Sequence, residues 1–198
     1  MAKVVRFPSP APAKFGFKPA RRRKTDMQEK HGQLSLFSGG KVVSISSRTP
    51  FEEALYLDDL GDAHAKQVYK KAIAAGDSVA DAYCNLGILE SQDQNYTRAI
   101  DCFTKCLAET PRHFEAHYNL ANLYAEIGNF PLAKVHYQFS IEIEPEFPNS
   151  RFNLALTQAM LREVEDAIIT LNAYRAMVDQ KERQQADSLI QSLLNARV

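Results

Sequence analysis

The fold is decided by two stretches that share one pattern, YCNLGILESQDQNYTRAIDCFTKCLAETP (residues 83–111) and HYNLANLYAEIGNFPLAKVHYQFSIEIEP (residues 117–145). The second begins 34 residues after the first, and leucine, alanine and proline positions recur at that step. Alanines extend the step in both directions, at Ala65, Ala99, Ala133 and Ala167. A fixed step of this length indicates an internal structural repeat.

Each unit predicts a pair of antiparallel helices. Apolar or small residues recur at helical spacing, as at Tyr83, Leu86 and Gly87, with Glu90 interrupting the stripe. The recurring alanine and the small residue at Gly87 predict places where two helices cross closely. Four and seven residues after the alanines stand positions predicted to be buried, namely Tyr69, Phe103, Tyr137 and Leu171, then Ala72, Cys106, Ser140 and Tyr174.

The repeat divides the chain into an arm, a body and a cap. The pattern predicts an all-α solenoid of four units, residues 51–79, 80–113, 114–147 and 148–179. An apolar stripe in residues 180–198 (Ala186, Leu189, Ile190, Leu193, Leu194) predicts a capping helix over the last unit. Residues 1–50 hold five of the nine prolines and show no helical period, which predicts a mostly disordered arm with a candidate small hairpin over residues 33–45.

Charge is distributed unevenly between these parts. The 24 basic and 24 acidic side chains cancel, yet residues 1–50 hold 11 basic and 2 acidic ones, and residues 51–198 hold 13 and 22. The arm is therefore +9 and the body −9. Apolar runs are too short for a membrane span, the prolines of the arm disfavour a signal or transit peptide, and three cysteines favour a reduced, cytoplasmic protein.

The pattern resembles the tetratricopeptide repeat, with signature W-x2-L-G-x2-Y, A-x3-F and P. Here it reads Tyr83-x2-Leu86-Gly87, Ala99-x3-Phe103 and Pro111, then His117-x2-Leu120-Ala121-x2-Tyr124, Ala133-x3-Tyr137 and Pro145. The match covers about residues 51–179. The order of basic stretch, Gly32-Gln33-Leu34 and abbreviated first unit is also similar to the repeat region attached to some bacterial MerR-type regulators, although no matching DNA-binding domain is present.

The resemblance implies a concave groove, lined by the first helix of each unit, that binds extended peptides. Asn85, Asn119 and Asn153 recur at the same step and should face this groove, where an amide can both donate to and accept from a peptide main chain. The alternative is that asparagine is merely tolerated on a polar face. The candidate peptide-binding residues are Asp81, Asn85, Glu115, Tyr118, Asn119, Asn122, Phe152 and Asn153.

Asp81 and Glu115 predict a preference for extended ligands with basic and apolar side chains. The Lys/Arg pattern with which some family members hold a terminal carboxylate is missing. No phosphate-binding loop or nucleophile motif is found, which predicts a non-enzymatic protein without cofactor or metal. His113 with His117, and Cys102 with Cys106, stand four apart, but their places in the repeat predict structural roles.

The arm carries two further candidate motifs. Arg21, Arg22, Arg23 and Lys24 form a basic cluster suited to nucleic acid or a partner, or simply a solvated linker. Gln33, Leu34, Ser35, Leu36 and Phe37 resemble the peptide with which bacterial DNA-processing proteins bind the sliding clamp, or else pack locally. A third interpretation places the +9 arm in the −9 groove. We therefore expect a protein-interaction adaptor, with a nucleic-acid-associated accessory factor as the alternative.

Overall fold

A computed structural model describes residues 18–20 and 48–196. Within these residues the chain forms helices alone, arranged as four antiparallel pairs and one further helix. They are α1 (Pro50–Asp59), α2 (Ala65–Ala74), α3 (Val79–Gln92), α4 (Tyr96–Glu109), α5 (Phe114–Glu126), α6 (Phe130–Ile143), α7 (Pro148–Met160), α8 (Val164–Arg175) and α9 (Gln180–Ala196). The predicted all-α solenoid is confirmed for this part of the chain, whereas the candidate hairpin over residues 33–45 lies outside it.

Helices α1, α5 and α6 begin at a residue whose side chain caps them. Thr49 and Glu52 form a capping box at α1, in which the Thr49 side chain accepts the Glu52 N–H and the Glu52 carboxylate accepts the Thr49 N–H. Between α5 and α6, Gly128 takes a φ of 79°, and the Asn129 side chain accepts the N–H of Leu132. A left-handed glycine followed by a capping asparagine turns the chain through the sharp corner that an antiparallel pair requires.

The residues at the step of 34 build the core. The four alanines, the large residues four positions later and the residues three further on are all at most 1% exposed. Gly87 lies against the ring of Phe103, where an added Cβ would come within 2.9 Å of Cε1. The predicted close crossing of helices is therefore present between α3 and α4.

Glu90 is buried, although it interrupts the apolar stripe of α3. Its carboxylate lies 3.3 Å from Lys66 Nζ on α2 and accepts from Asn95 Nδ2 at 2.9 Å. A charge can be buried when such partners compensate for lost hydration. Glu90 thereby joins the first two helical pairs through an ion pair.

Helix α9 covers the apolar side of the fourth pair. Ala186, Ile190 and Leu193 are buried in one cluster with Leu171 and Tyr174 of α8. Leu194, which the sequence placed in the same stripe, is 40% exposed, because a continuous stripe is wider than the face that one neighbouring helix can cover. None of the helices in the described ranges combines the length and apolar character needed to cross a bilayer.

The tight helix crossing predicts a strong dependence of stability on side-chain size. Ala99 on α4 is fully buried and Ala108 on the same helix is exposed. We expect Ala99→Leu to lower the free energy of unfolding by about 1–3 kcal/mol because three added carbons overpack the crossing. Ala108→Leu, the same chemical change, should alter it by less than about 0.5 kcal/mol. Urea denaturation measures both, and equal effects would contradict the predicted crossing.

Candidate functional site

Two asparagines, Asn85 on α3 and Asn119 on α5, hold a short piece of the chain's own N-terminal arm. Asn119 accepts the N–H of Lys18 at its Oδ1 (2.8 Å) and donates from Nδ2 to the carbonyl of the same residue (2.8 Å). Asn85 does the same with Ala20, at 2.7 and 2.9 Å. Each amide therefore pairs with both main-chain groups of one residue, and the pattern advances by two residues of the bound segment for one unit of the solenoid.

Each of the two amides also contacts another side chain of the helical body. Asn85 Nδ2 also lies 3.2 Å from the hydroxyl of Tyr69, which donates to the carboxylate of Asp58 at 2.9 Å. Asn119 Nδ2 donates to Cys84 Sγ at 3.7 Å. Because Asn85 and Asn119 are fully buried, these contacts fix which end of each amide is the donor before a ligand pairs with it.

Three of the other candidate residues contact one another, and a fourth packs in the core. Asn153 donates to the Tyr118 hydroxyl (3.3 Å) and to Asn122 Oδ1 (3.1 Å), and Asn122 also accepts from the Tyr137 hydroxyl at 2.6 Å. Phe152 packs in the core against Tyr174, with ring centroids 5.1 Å apart. Tyr118, Asn122 and Asn153 therefore form a polar group between α5 and α7, and Phe152 does not belong to it.

The side chain of Lys18 lies against two aromatic rings. Its Nζ is 4.4 Å from the ring centroid of Phe114 and 4.2 Å from that of Phe147. The two rings meet edge to face with centroids 5.1 Å apart, and Tyr118 packs edge-on against Phe147 at the same distance. An ammonium group over two ring faces is attracted by their quadrupoles.

The side chain of Ala20, unlike that of Lys18, is buried among apolar core residues. It is 1% exposed and belongs to the core cluster that includes Cys84, Ile88, Ala116 and Leu120. Pro19, between the two paired residues, is exposed. Because proline has no N–H, a position between two paired residues is one where it costs no hydrogen bond.

The two acidic candidates surround His113 at the start of α5. Asp81 Oδ1 lies 2.9 Å from His113 Nε2, and Glu115 Oε2 lies 3.5 Å from Nδ1. His113 Nδ1 also accepts the N–H of Ala116 in the N-cap position. Part of the predicted acidic edge is therefore engaged with a neighbouring imidazole.

His113 also belongs to a buried group that sequence spacing did not reveal. Potential ligand atoms of Cys84, Cys106 and His113 lie within 4.8 Å of one another, and among the described residues this is the sole group of three that could hold a metal ion. Burial raises the pKa of the Cys84 thiol well above its usual range, so this group stays protonated at neutral pH. Cys84 and Cys106 come from different helices, whereas the sequence drew attention to Cys102 and Cys106 on one helix.

His117, the other histidine of the predicted pair, faces away from His113. Its Nδ1 lies 3.0 Å from His136 Nδ1, and its Nε2 lies 3.0 Å from the carbonyl of Pro111. The carbonyl is an acceptor, so Nε2 carries the hydrogen and Nδ1 accepts from His136. Burial lowers the pKa of His117, and burial followed by the neighbouring His117 lowers the pKa of His136 to about 4.

Sequence reasoning missed the groups that contact the arm segment most specifically. Phe114 and Phe147 fall outside the repeat signature, and residues 18–20 were considered as part of an arm without an assigned register. The basic cluster Arg21–Lys24 and the clamp-like residues Gln33, Leu34, Ser35, Leu36 and Phe37 lie outside the described residues. The nucleic-acid, clamp and MerR-type interpretations stay predictions.

Comparisons with known proteins agree with this architecture. Models of the tetratricopeptide repeat match residues 80–113 and 114–147. The tetratricopeptide repeat-containing protein trd-1 of Caenorhabditis elegans is 28% identical over 107 residues, which are 54% of this chain and 14% of the relative, so the chain spans a small part of that protein's length.

Solved structures share the fold at low sequence identity. A tetratricopeptide repeat protein from Parabacteroides merdae is 18% identical with a TM-score of 0.66, covering 75% of this chain and 59% of its own. MamA from Desulfovibrio magneticus RS-1 gives 18% and 0.62, covering 73% and 85%. The first repeat domain of Spaghetti, bound to the HSP90 peptide SRMEEVD, gives 17% and 0.54, covering 59% and 91%.

The histidine pair predicts acid sensitivity. An unfolded histidine takes up a proton below about pH 6.5, whereas His136 in the folded protein does so only near pH 4. The unfolded state therefore binds more protons in this window, and stability falls as the pH drops from about 6.5 to 4. For a half-buried group, screening by solvent reduces the expected loss to about 1–2 kcal/mol.

Replacement of His136 should remove this contribution. We expect His136→Gln to lose less stability than the original chain between pH 7.5 and 4.5, measured by urea denaturation at each pH. Gln138, an exposed and non-titrating residue of the same helix, provides the control, and Gln138→Asn should follow the original pH profile. An unchanged pH profile for His136→Gln would show that the pair does not titrate in this window.

Proposed function

Because the chain is a tetratricopeptide repeat protein, we propose that it is a non-enzymatic adaptor that binds an extended segment of a partner protein in its concave groove. The observation that carries this proposal is the pairing of Asn85 and Asn119 with the main chain of Lys18 and Ala20 through four hydrogen bonds of 2.7–2.9 Å. Two buried amides, one unit apart, thus bind the main chain of one peptide segment.

Such pairing recognises an extended conformation without fixing the side chains of the ligand. Amide groups are neither nucleophiles nor titratable near neutral pH, so Asn85 and Asn119 bind a peptide main chain without supplying a nucleophile, an acid or a base. The advance of two ligand residues per unit is what an extended chain requires, because alternate residues face the same side. A groove of this kind favours adaptor function over catalysis.

Structural relatives support a peptide as the ligand. The Spaghetti domain is bound to an HSP90 peptide, and a domain of yeast Sti1 (21% identical, TM-score 0.53, covering 59% of this chain and 96% of that one) forms a complex with Hsp70. The HSP90 peptide bound by Spaghetti, SRMEEVD, has three acidic residues among its last four. Here Asp81 and Glu115 lie at the starts of α3 and α5 beside His113, and their negative charge favours basic and apolar ligands instead.

The cysteines support a reducing compartment such as the cytoplasm as the place of action. Cys84, Cys102 and Cys106 are free and buried. Burial raises the pKa of Cys102 to about 11, which keeps its thiol protonated and unreactive at neutral pH. Cys102 therefore acts as a small apolar side chain, whereas hydrogen bonds with Cys84 and His113 lower the pKa of Cys106 to about 7.

The test must separate partner binding from binding of the chain's own arm. We therefore use full-length chain carrying Ala20→Glu, because a carboxylate does not fit the buried place of Ala20 and should keep the segment out of the groove. An array of ten-residue peptides identifies binders, and calorimetry measures their affinity. Adding Asn85→Ala and Asn119→Ala should weaken binding roughly 100- to 1,000-fold, since each of four hydrogen bonds contributes about 1 kcal/mol.

Asn195 supplies the control, because it is exposed on the outer helix α9. Asn195→Ala should leave affinity unchanged. Circular dichroism of each variant checks that the helices remain folded. Peptide binding that survives loss of both Asn85 and Asn119 would refute the proposed groove, and the absence of any peptide ligand would refute the adaptor function.

A further inference from the structure

The segment in the groove lies in an order that defines what a ligand must present. Ala20 pairs with Asn85 of α3 and Lys18 pairs with Asn119 of α5, so the segment runs opposite to the order of the repeats. Because the side-chain period of extended chain is two, Lys18 and Ala20 face the same side and Pro19 faces the other. The groove therefore contacts the side chains of the first and third residues of the segment, and the side chain of the second points away from it.

The two positions that face the groove differ sharply in what they accept. At the Ala20 position the side chain is 1% exposed within a packed cluster, so a larger side chain would need that cluster to open. At the Lys18 position the ammonium lies 4.2–4.4 Å from two ring centroids. Shape selects a small residue at one position, and the aromatic faces select a cation at the other.

The pair of aromatic rings that contacts Lys18 occurs at one place in residues 79–148. The residues in register with Phe114 are Ala80 and Pro148, and those in register with Phe147 are Val79 and His113. Residues 79–148 thus contain a single unit with aromatic rings at both positions. The asparagine positions repeat, but the ring pair does not, so it sets the register of a ligand along the row of amides.

Proline at position 19 prepares the segment for this groove. A residue that precedes proline is restricted to extended conformations, and proline itself has a fixed φ. Lys18 and Pro19 therefore lose less conformational freedom on docking than other residues would. A segment that is already extended and supplies a lysine and a small residue two positions apart is a well-matched ligand.

Resting on the proposed function, we propose that the groove recognises an extended Lys-x-small segment of a partner protein, and that residues 18–20 are an intramolecular copy of that ligand. The Phe114–Phe147 pair binds the lysine, and the buried site of Ala20 accepts the small residue. Asn85 and Asn119 hold the main chain. A partner must displace the arm, so the arm lowers the apparent affinity of the groove for every segment by the same factor, and only strongly matching segments still bind.

The intramolecular part is tested with a fluorescent peptide of residues 16–22, GFKPARR, and full-length chains. Ala20→Glu chain should bind the peptide at least tenfold more tightly than the original chain, because its groove is vacated. Ala108→Glu, the same change at an exposed site of α4, should bind like the original. Equal affinity of all three chains, or no binding to any, would overturn the proposal.

Light scattering separates a bound arm of the same chain from one exchanged between two copies. We expect the original chain to be monomeric at all concentrations used for the titration. A dimer that becomes monomeric on Ala20→Glu would show that the segment binds a second copy, and would overturn the intramolecular assignment.

Recognition of lysine and of the small residue is tested with altered peptides on the Ala20→Glu chain. A peptide with trimethyl-lysine should bind within about threefold of the lysine peptide, because it keeps the cation while losing every N–H donor. Peptides with norleucine at that position, or with leucine in place of Ala20, should bind at least tenfold more weakly. Norleucine or leucine peptides that bind as well as the original would overturn the proposed selectivity.

The aromatic pair has its own matched control. Phe147→Leu should weaken binding of the lysine peptide at least fivefold and leave the affinity for the norleucine peptide unchanged. Phe139→Leu, at a ring on α6 that stacks on His117, should alter neither. If array peptides without the Lys-x-small pattern bind equally well and still depend on Asn85 and Asn119, the adaptor function stands and this inference fails. If binding is independent of both asparagines, the adaptor function itself fails.

Discussion

The structure depends on the fact that one helical pair cannot bury its own apolar face. Each pair must pack on its neighbours, and the alanines and large residues at the 34-residue step make every such contact nearly the same. A repeated contact puts equivalent positions of successive pairs in equivalent places, including those of Asn85 and Asn119. The even row of amides follows from the packing of the core, because side chains at equivalent positions are carried round by equivalent crossings.

The same regularity explains why an extended peptide fits. Two residues of extended chain advance by about 7 Å. Asn119 pairs with Lys18 and Asn85 pairs with Ala20, so the spacing of the two amides matches this advance. Buried amides are costly when unpaired. The bound segment therefore also satisfies polar groups of the body, which links the stability of the groove to its occupation.

Much of the fold could be read from the chain because the signals are local and repeated. Helix periodicity acts over a few residues and the alanine step repeats it along the chain, and the structure confirms the all-α solenoid that they predict. Single departures were harder to interpret. Glu90 looked like a break in a stripe, but its burial depends on Lys66 from a different helix, which no periodicity within α3 can reveal.

The candidate site was predictable to the extent that it repeats. Asn85 and Asn119 recur at the step of 34 and were singled out for that reason. Phe114 and Phe147 do not recur, and their rings meet only because α5 and the start of α7 converge. The group of Cys84, Cys106 and His113 is another example, since three helical segments bring it together.

By itself, the sequence determined the repeat, the helical class, the order of the units and the unequal charge of arm and body. Local spacing and composition suffice for these. Only the tertiary structure decided which residues of the arm meet the groove, in which direction and with which side chains. Those contacts join residues 65 and 101 positions apart, and their register depends on how successive helical pairs curve around one face.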